Sequence, residues 1–152
     1  MKRPAAYTLV ELLIVVAVLA ALTLVAVPRL QFGAVRQRQA QVAASRILSA
    51  MRQTRSLAIL NAADHPSGYA LGMSKAGGKW SFDILDVATS TVVDSQSLDP
   101  SVTCTGGVLF TFTPLGALQT GSDTSLSLSA GGTSCTVTIV GATGMARCQE
   151  SP

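Results

Sequence analysis

Three cysteines (Cys104, Cys135 and Cys148), one histidine (His65) and eight carboxylates are the side chains here that could carry covalent, metal or acid–base chemistry. Their spacing offers little of it. The cysteines include no close pair and only one imidazole is available, so neither a zinc site nor any other metal site is expected. His65 lies within "NAADHPSG" and has no Cys or Asp partner at catalytic spacing, so it reads as a turn residue. Asp83 and Asp86 are an odd number of residues apart and fall on opposite faces of a strand, which makes them solvent or strand-edge residues rather than an acid/base pair. The chain has no Gly-rich phosphate loop and no nucleophile elbow. An enzyme is therefore not expected, nor a cofactor or a small-molecule substrate. One carboxylate stands apart: Glu11 is embedded in an apolar run, where a charge at bilayer depth costs at least ~2.5–3.5 kcal/mol on insertion scales.

The element that positions Glu11 runs from Tyr7 to Val27, with only Thr8, Glu11 and Thr23 polar. A helix of that length roughly spans a ~30 Å hydrocarbon core, which makes it a membrane-segment candidate. Lys2 and Arg3 precede it and should stay cytoplasmic, placing everything after Pro28 outside the inner membrane. Three cysteines, all far from the apolar run, agree with that compartment: one disulfide and one spare thiol. A secretory signal fits poorly, because the apolar core is long and the small residues Ala5 and Ala6 come before it.

Net charge, +3 overall, is segregated along the chain. Six arginines from Arg29 to Arg55 follow the apolar run without an acid before Asp64. From Ala62 onward three bases face seven acids, a net −4, so bulk charge gives this part no generic grip on nucleic acid. Between Pro28 and about Leu60 the sequence predicts a continuing helix rich in good helix formers. Ala40, Ala43, Ala44, Ile47, Met51 and Ala58 share one face of it, while Arg38 and Arg52 point away. Pro28 should bend the helix.

After Pro66 short β-type runs follow one another: Tyr69–Met73, Trp80–Val87, Thr91–Ser95, Val108–Thr113, Ser125–Leu128, Cys135–Val140 and Met145–Gln149. "WSFDILDV" and "SLSLS" alternate as half-buried antiparallel strands do. Trp80, Phe82, Phe110 and Phe112 are then core or sheet-face residues. A long helix laid on an antiparallel sheet is an α+β fold. If Gly141-Ala142 is a two-residue turn, Cys135 faces Cys148 and a disulfide is within reach; with the turn at Ala142-Thr143 they separate, and Cys104 becomes the likelier partner for one of them.

"AAYTLVELLIVVAVLAAL" resembles the N-terminal segment of type IV pilins and of type II secretion pseudopilins. Ala6 stands where that family usually has glycine, and Tyr7 where it usually has phenylalanine. The resemblance implies prepilin peptidase cleavage between Ala6 and Tyr7, an N-methylated Tyr7, and a helix-kinking Pro28. It implies too that Glu11 faces a neighbouring subunit's α-amino group in the fibre, so that two groups costly alone in apolar surroundings compensate each other. The divisions that follow are a leader (1–6), a transmembrane and filament-core helix (7–27), an amphipathic second half (28–61) and a periplasmic β-rich domain (62–152). The implied partners are other pilin or pseudopilin subunits, the peptidase and inner-membrane lipid.

The later part resembles the FimT/GspH minor pilin and pseudopilin branch, through "AASRILSAMRQTRSLAILNAAD", "LFTFTPLGAL" and "VTIVGATGMARC". Some members of that branch are implicated in DNA uptake through a terminal Gly-Arg-x-Arg stretch. Here the matching positions are Gly144, Met145, Ala146 and Arg147, so one of the two arginines is missing and DNA binding is the alternative rather than the leading expectation.

Overall fold

A computed structural model of the chain describes residues 9–26 and 32–151, with side chains over residues 9–22 and 38–150. Ala6, Tyr7 and Pro28, the expected cleavage, methylation and kink positions, lie outside the described residues. The chain divides into two compact units, Met1–Phe32 and Gly33–Pro152.

The first unit holds α1 (Leu9–Ala26), whose eighteen residues are apolar except for Glu11 and Thr23. Such a helix rises about 27 Å. Among the described residues no helix is long and apolar enough to cross a membrane. The expected span of residues 7–27 is therefore described only in part, since Tyr7, Thr8 and Val27 fall beyond the described ends.

The second unit holds all of α2 (Phe32–Leu60) except its first residue, followed by eight strands: β1 (Tyr69–Ala76), β2 (Lys79–Asp86), β3 (Val92–Ser97), β4 (Thr103–Gly106), β5 (Leu109–Phe112), β6 (Ser125–Ala130), β7 (Thr133–Val140) and β8 (Met145–Ser151). They form two four-stranded antiparallel sheets, in the orders β3-β2-β1-β5 and β4-β6-β7-β8. The architecture is α+β as expected, with two sheets where one was anticipated. Six of the residues that α2 buries, Ala40, Ala43, Ala44, Ile47, Met51 and Ala58, are the predicted stripe. Phe82, Ile84, Phe110, Phe112, Leu126, Leu128 and Val137 belong with them to a single core, and Trp80 packs on its edge. Burying side chains of this size contributes roughly 1.5–3 kcal/mol each before the entropy of ordering is subtracted.

The strand alternation explains the faces. In β7, Cys135, Val137 and Ile139 turn inward while Thr136 and Thr138 turn outward. In β6, Leu126, Leu128 and Ala130 turn inward. The outer face of the second sheet is thus a hydroxyl surface, with Ser125 opposite Thr138, Ser127 opposite Thr136 and Ser129 opposite Ser134. Between the sheets, Asp123 accepts hydrogen bonds from the Val108 and Leu109 N–H groups at 2.6 and 2.9 Å, fixing the short β4–β5 connection.

Of the two registers weighed for the last hairpin, the structure has the one centred on Ala142-Thr143: Val140 pairs with Met145 across a four-residue turn, and Cys148 stands opposite Val137 rather than Cys135, where the cysteines were expected to separate. The Cys135–Cys148 disulfide forms nonetheless, diagonally, with Cα atoms 6.3 Å apart. Diagonal neighbours across antiparallel strands are close enough for that bridge. Cys104 is the spare thiol, buried on β4, and desolvation pushes its pKa up to about 11.

Candidate functional site

Glu11 sits in the first described turn of α1. Its side chain is exposed, and so are those of Leu9, Val10, Leu12, Leu13, Ile14, Val15 and Val16 around it. A helix apolar on every side is at home only when lipid or other helices cover it. This exposed surface is therefore an association surface, and Glu11 is the one acid upon it.

In the globular unit the three resemblance-bearing stretches meet at one point. The Arg55 Nε–H of α2 donates to the Gly116 carbonyl at 3.0 Å, and the Leu118 N–H donates to the Gly141 carbonyl at 2.8 Å. Gly116, at φ +78°, is so close that a Cβ would stand 2.7 Å from Ile59 Cδ1. Gly144, at φ +64°, has the Gly116 carbonyl oxygen where a Cβ would go. A helix end, the Thr113–Gly116 turn and the β7–β8 turn are thus locked together, and only glycine fits two of the positions.

Arg147 is exposed on β8, opposite Thr138, on the hydroxyl-rich face of the second sheet. No second arginine lies beside it in β8.

Two sequence readings are corrected by the structure. His65 does lie in the turn after α2, but it has a partner: its Nδ1 is 2.9 Å from Asp86 Oδ2. Asp86 is not a solvent or strand-edge carboxylate; it is 3% exposed. Its oxygens accept hydrogen bonds from the Thr89 hydroxyl at 2.8 Å and the Ala88 N–H at 2.9 Å. The Thr89 hydroxyl chiefly holds its pKa below the usual carboxylate value, burial opposes this, and the Ala88 N–H and His65 add to the lowering. Tyr69 lies against the His65 ring at 5.5 Å and receives a hydrogen bond from the Asn61 side-chain amide at 3.2 Å. The signal was present in the sequence, because Asp86 shares its parity with the core residues Phe82 and Ile84. The arrangement ties the end of α2 to the β2–β3 turn. Among the described residues no group of three or more His, Cys, Asp or Glu side chains could hold a metal ion.

Compared with known proteins, residues 1–27 match the prokaryotic N-terminal methylation motif. No curated protein and no solved structure matches the chain. The motif supports a type IV pilin-like protein, and the helix on antiparallel sheets agrees with a pilin-like fold. Proteins bearing it are structural rather than enzymatic, are processed by prepilin peptidase and assemble with other pilin subunits. It indicates membrane anchoring followed by incorporation into a filament.

Proposed function

We propose that the chain is a minor pilin or pseudopilin, a structural subunit of a type IV pilus or a type II secretion pseudopilus, of the FimT/GspH kind. Prepilin peptidase cuts between Ala6 and Tyr7, and Tyr7 becomes the N-methylated terminus. The subunit waits in the inner membrane as a single-pass protein with its globular unit in the periplasm. Pro28 kinks the helix, and Glu11 sets the register of each added subunit by meeting the α-amino group of a neighbour. The observation that carries this reading is the methylation-motif match over a helix whose apolar surface is exposed all round and bears one acid in its first turn. Mass spectrometry of the native protein tests it: the chain should begin at a methylated Tyr7, and a native terminus at Met1 would refute processing.

A DNA-binding role in an uptake pilus is the second reading, and the exposed Arg147 favours it. One phosphate contact supplies little affinity, so binding to duplex DNA should be weak, salt-sensitive and lost in Arg147→Ala. Retardation that survives this substitution would exclude Arg147 as the contact.

A further inference from the structure

Cys104, Cys135 and Cys148 all pack toward the core from the second sheet, yet only one pair of them can be joined once that sheet exists. Cys104 on β4 stands opposite Leu128 on β6, and Leu128 stands opposite Cys135 on β7. Two strand spacings of about 4.8 Å therefore separate the Cys104 and Cys135 backbones, beyond the ~7 Å reach of a disulfide, and the buried Leu128 side chain stands between them. Cys148 lies one strand further off, on β8. Cys135 and Cys148, with Cα atoms 6.3 Å apart, are the pair that the sheet allows.

The unfolded chain has no such restriction. Loops closed by Cys104–Cys135 and Cys104–Cys148 are more than two and more than three times as long as the correct one, and closure probability falls roughly as the −3/2 power of loop length, so ~30% of bridges formed at random join Cys104. Order of synthesis adds to this share, because Cys104 and Cys135 are both made before Cys148. A Cys104–Cys135 bridge cannot coexist with β6 lying between β4 and β7, so a chain bridged that way cannot complete the second sheet.

We propose that the odd cysteine makes this chain self-correcting: every singly bridged isomer keeps one free thiol that reshuffles a wrong bridge, and the pairing of β4 with β6 then buries the thiol left over and ends the exchange. In the Cys104–Cys135 isomer the Cys148 thiolate attacks the Cys135 Sγ. The Cys135–Cys148 bond forms as the Cys104–Cys135 bond breaks, and Cys104 leaves as a thiolate that takes up a proton. In the Cys104–Cys148 isomer the Cys135 thiolate attacks the Cys148 Sγ with the same outcome. One disulfide and one thiol stand on each side of either exchange, so neither consumes an oxidant. Only the first bridge needs one, a disulfide-donating oxidant that accepts two electrons and two protons from a pair of thiols.

The completed sheet makes the exchange one-way. Burial pushes the Cys104 thiol up to about 11, against a smaller opposing pull from the Lys75 charge. At neutral pH that leaves about a hundredfold less thiolate than on an unperturbed cysteine, and what remains lies out of reach of the bridge two strands away. The device concerns how the globular unit closes and does not rest on the pilin reading.

The test is oxidation of the reduced, denatured full-length chain with diamide, then removal of denaturant into detergent with no added thiol, and peptide mapping of the bridges before and after. In denaturant about 30% of molecules should carry Cys104 in a bridge. After removal nearly all should carry Cys135–Cys148, at a rate independent of protein concentration. Alkylating the free thiol with iodoacetamide before removal should leave the wrong bridges at their starting share, and monomeric Cys104→Ala should show none at any stage. Maleimide should label Cys104 about a hundredfold more slowly in the refolded chain than in the denatured one. Wrong bridges that persist in the unblocked chain, correction that proceeds equally well after alkylation, or a rate that rises with protein concentration overturns the self-correction. A denatured chain bridged only at Cys135–Cys148 overturns it too, since nothing is left to correct. Equal labelling of the folded and denatured chains overturns the one-way closure. None of these readouts involves processing or assembly, so failure here leaves the pilin reading where it stands.

Discussion

The two units of this chain are stabilised from opposite directions. Gly33–Pro152 buries Ile47, Phe82, Phe110, Phe112 and Leu128 against one another and needs no partner to hide them. In α1 the side chains of the same apolar kinds are all turned outward, from Leu9 to Leu22. One unit keeps its hydrophobic free energy within itself, and the other leaves it to be collected by lipid or by further copies. An acid is tolerable on the second surface only where something compensates it, which is the physical content of the role proposed for Glu11.

The largest effect should come from Glu11→Ala. Removing the acid makes α1 more apolar, so membrane insertion should persist while incorporation into sheared filaments falls to background. Normal incorporation of the variant would break the contrast, because Glu11 would then be a tolerated residue rather than a register key. Core substitution should act the other way. Phe110→Ala should destabilise the globular unit by about 3–5 kcal/mol, whereas Leu13→Ala in α1 should leave its thermal unfolding unchanged. Equal effects of the two in a melt of the detergent-solubilised chain would show that the units do not stand apart.

A third effect is smaller. Replacing both Cys135 and Cys148 by alanine opens a loop of thirteen residues' separation, which should cost about 3 kcal/mol by the chain-entropy account. Denaturant unfolding with and without reductant measures it, and the unsubstituted chain under reductant should lose a similar amount. Cys104 should resist alkylation in the native state, since its raised pKa and its burial both suppress the thiolate.

Periodicity made much of this structure legible. The α2 stripe follows from the 3.6-residue repeat, and seven of the eight strands stand out as short runs between turn residues. β4 does not, because Thr-Cys-Thr-Gly is four residues long and carries a single apolar side chain. The β7–β8 register stays open between two choices in the sequence because register depends on turn length, and "GATG" offers glycines at either end of a four-residue turn as readily as inside a two-residue one. The disulfide forms in either register, because a two-residue slip keeps both cysteines on the same face, so the expected separation does not occur. Asp86 was misread for a different reason: a carboxylate on the core-facing parity is a poor bet until its partners are known, and Thr89, Ala88 and His65 come together only when the β2–β3 turn and the α2 end are folded. The convergence of Arg55, Gly116 and Gly144 is likewise a tertiary fact that no local pattern contains.

The smallest effect expected concerns that buried carboxylate. Its pKa is lower in the folded chain than the ordinary aspartate value, so the folded state binds its proton less readily than the unfolded state. Its stabilising contribution is therefore complete above the unfolded value and is lost as pH falls through the lowered folded value, a window at and below the ordinary carboxylate range. Because the Thr89 hydroxyl contributes most to the lowering, Thr89→Val should raise the Asp86 midpoint in a carboxyl NMR titration more than His65→Gln does. The unfolding free energy of Thr89→Val should likewise begin to fall at a higher pH on acidification. If the histidine substitution moves the midpoint further than the threonine substitution, the pair tying α2 to the β2–β3 turn is held by the imidazole, and the turn's own hydrogen bonds are secondary.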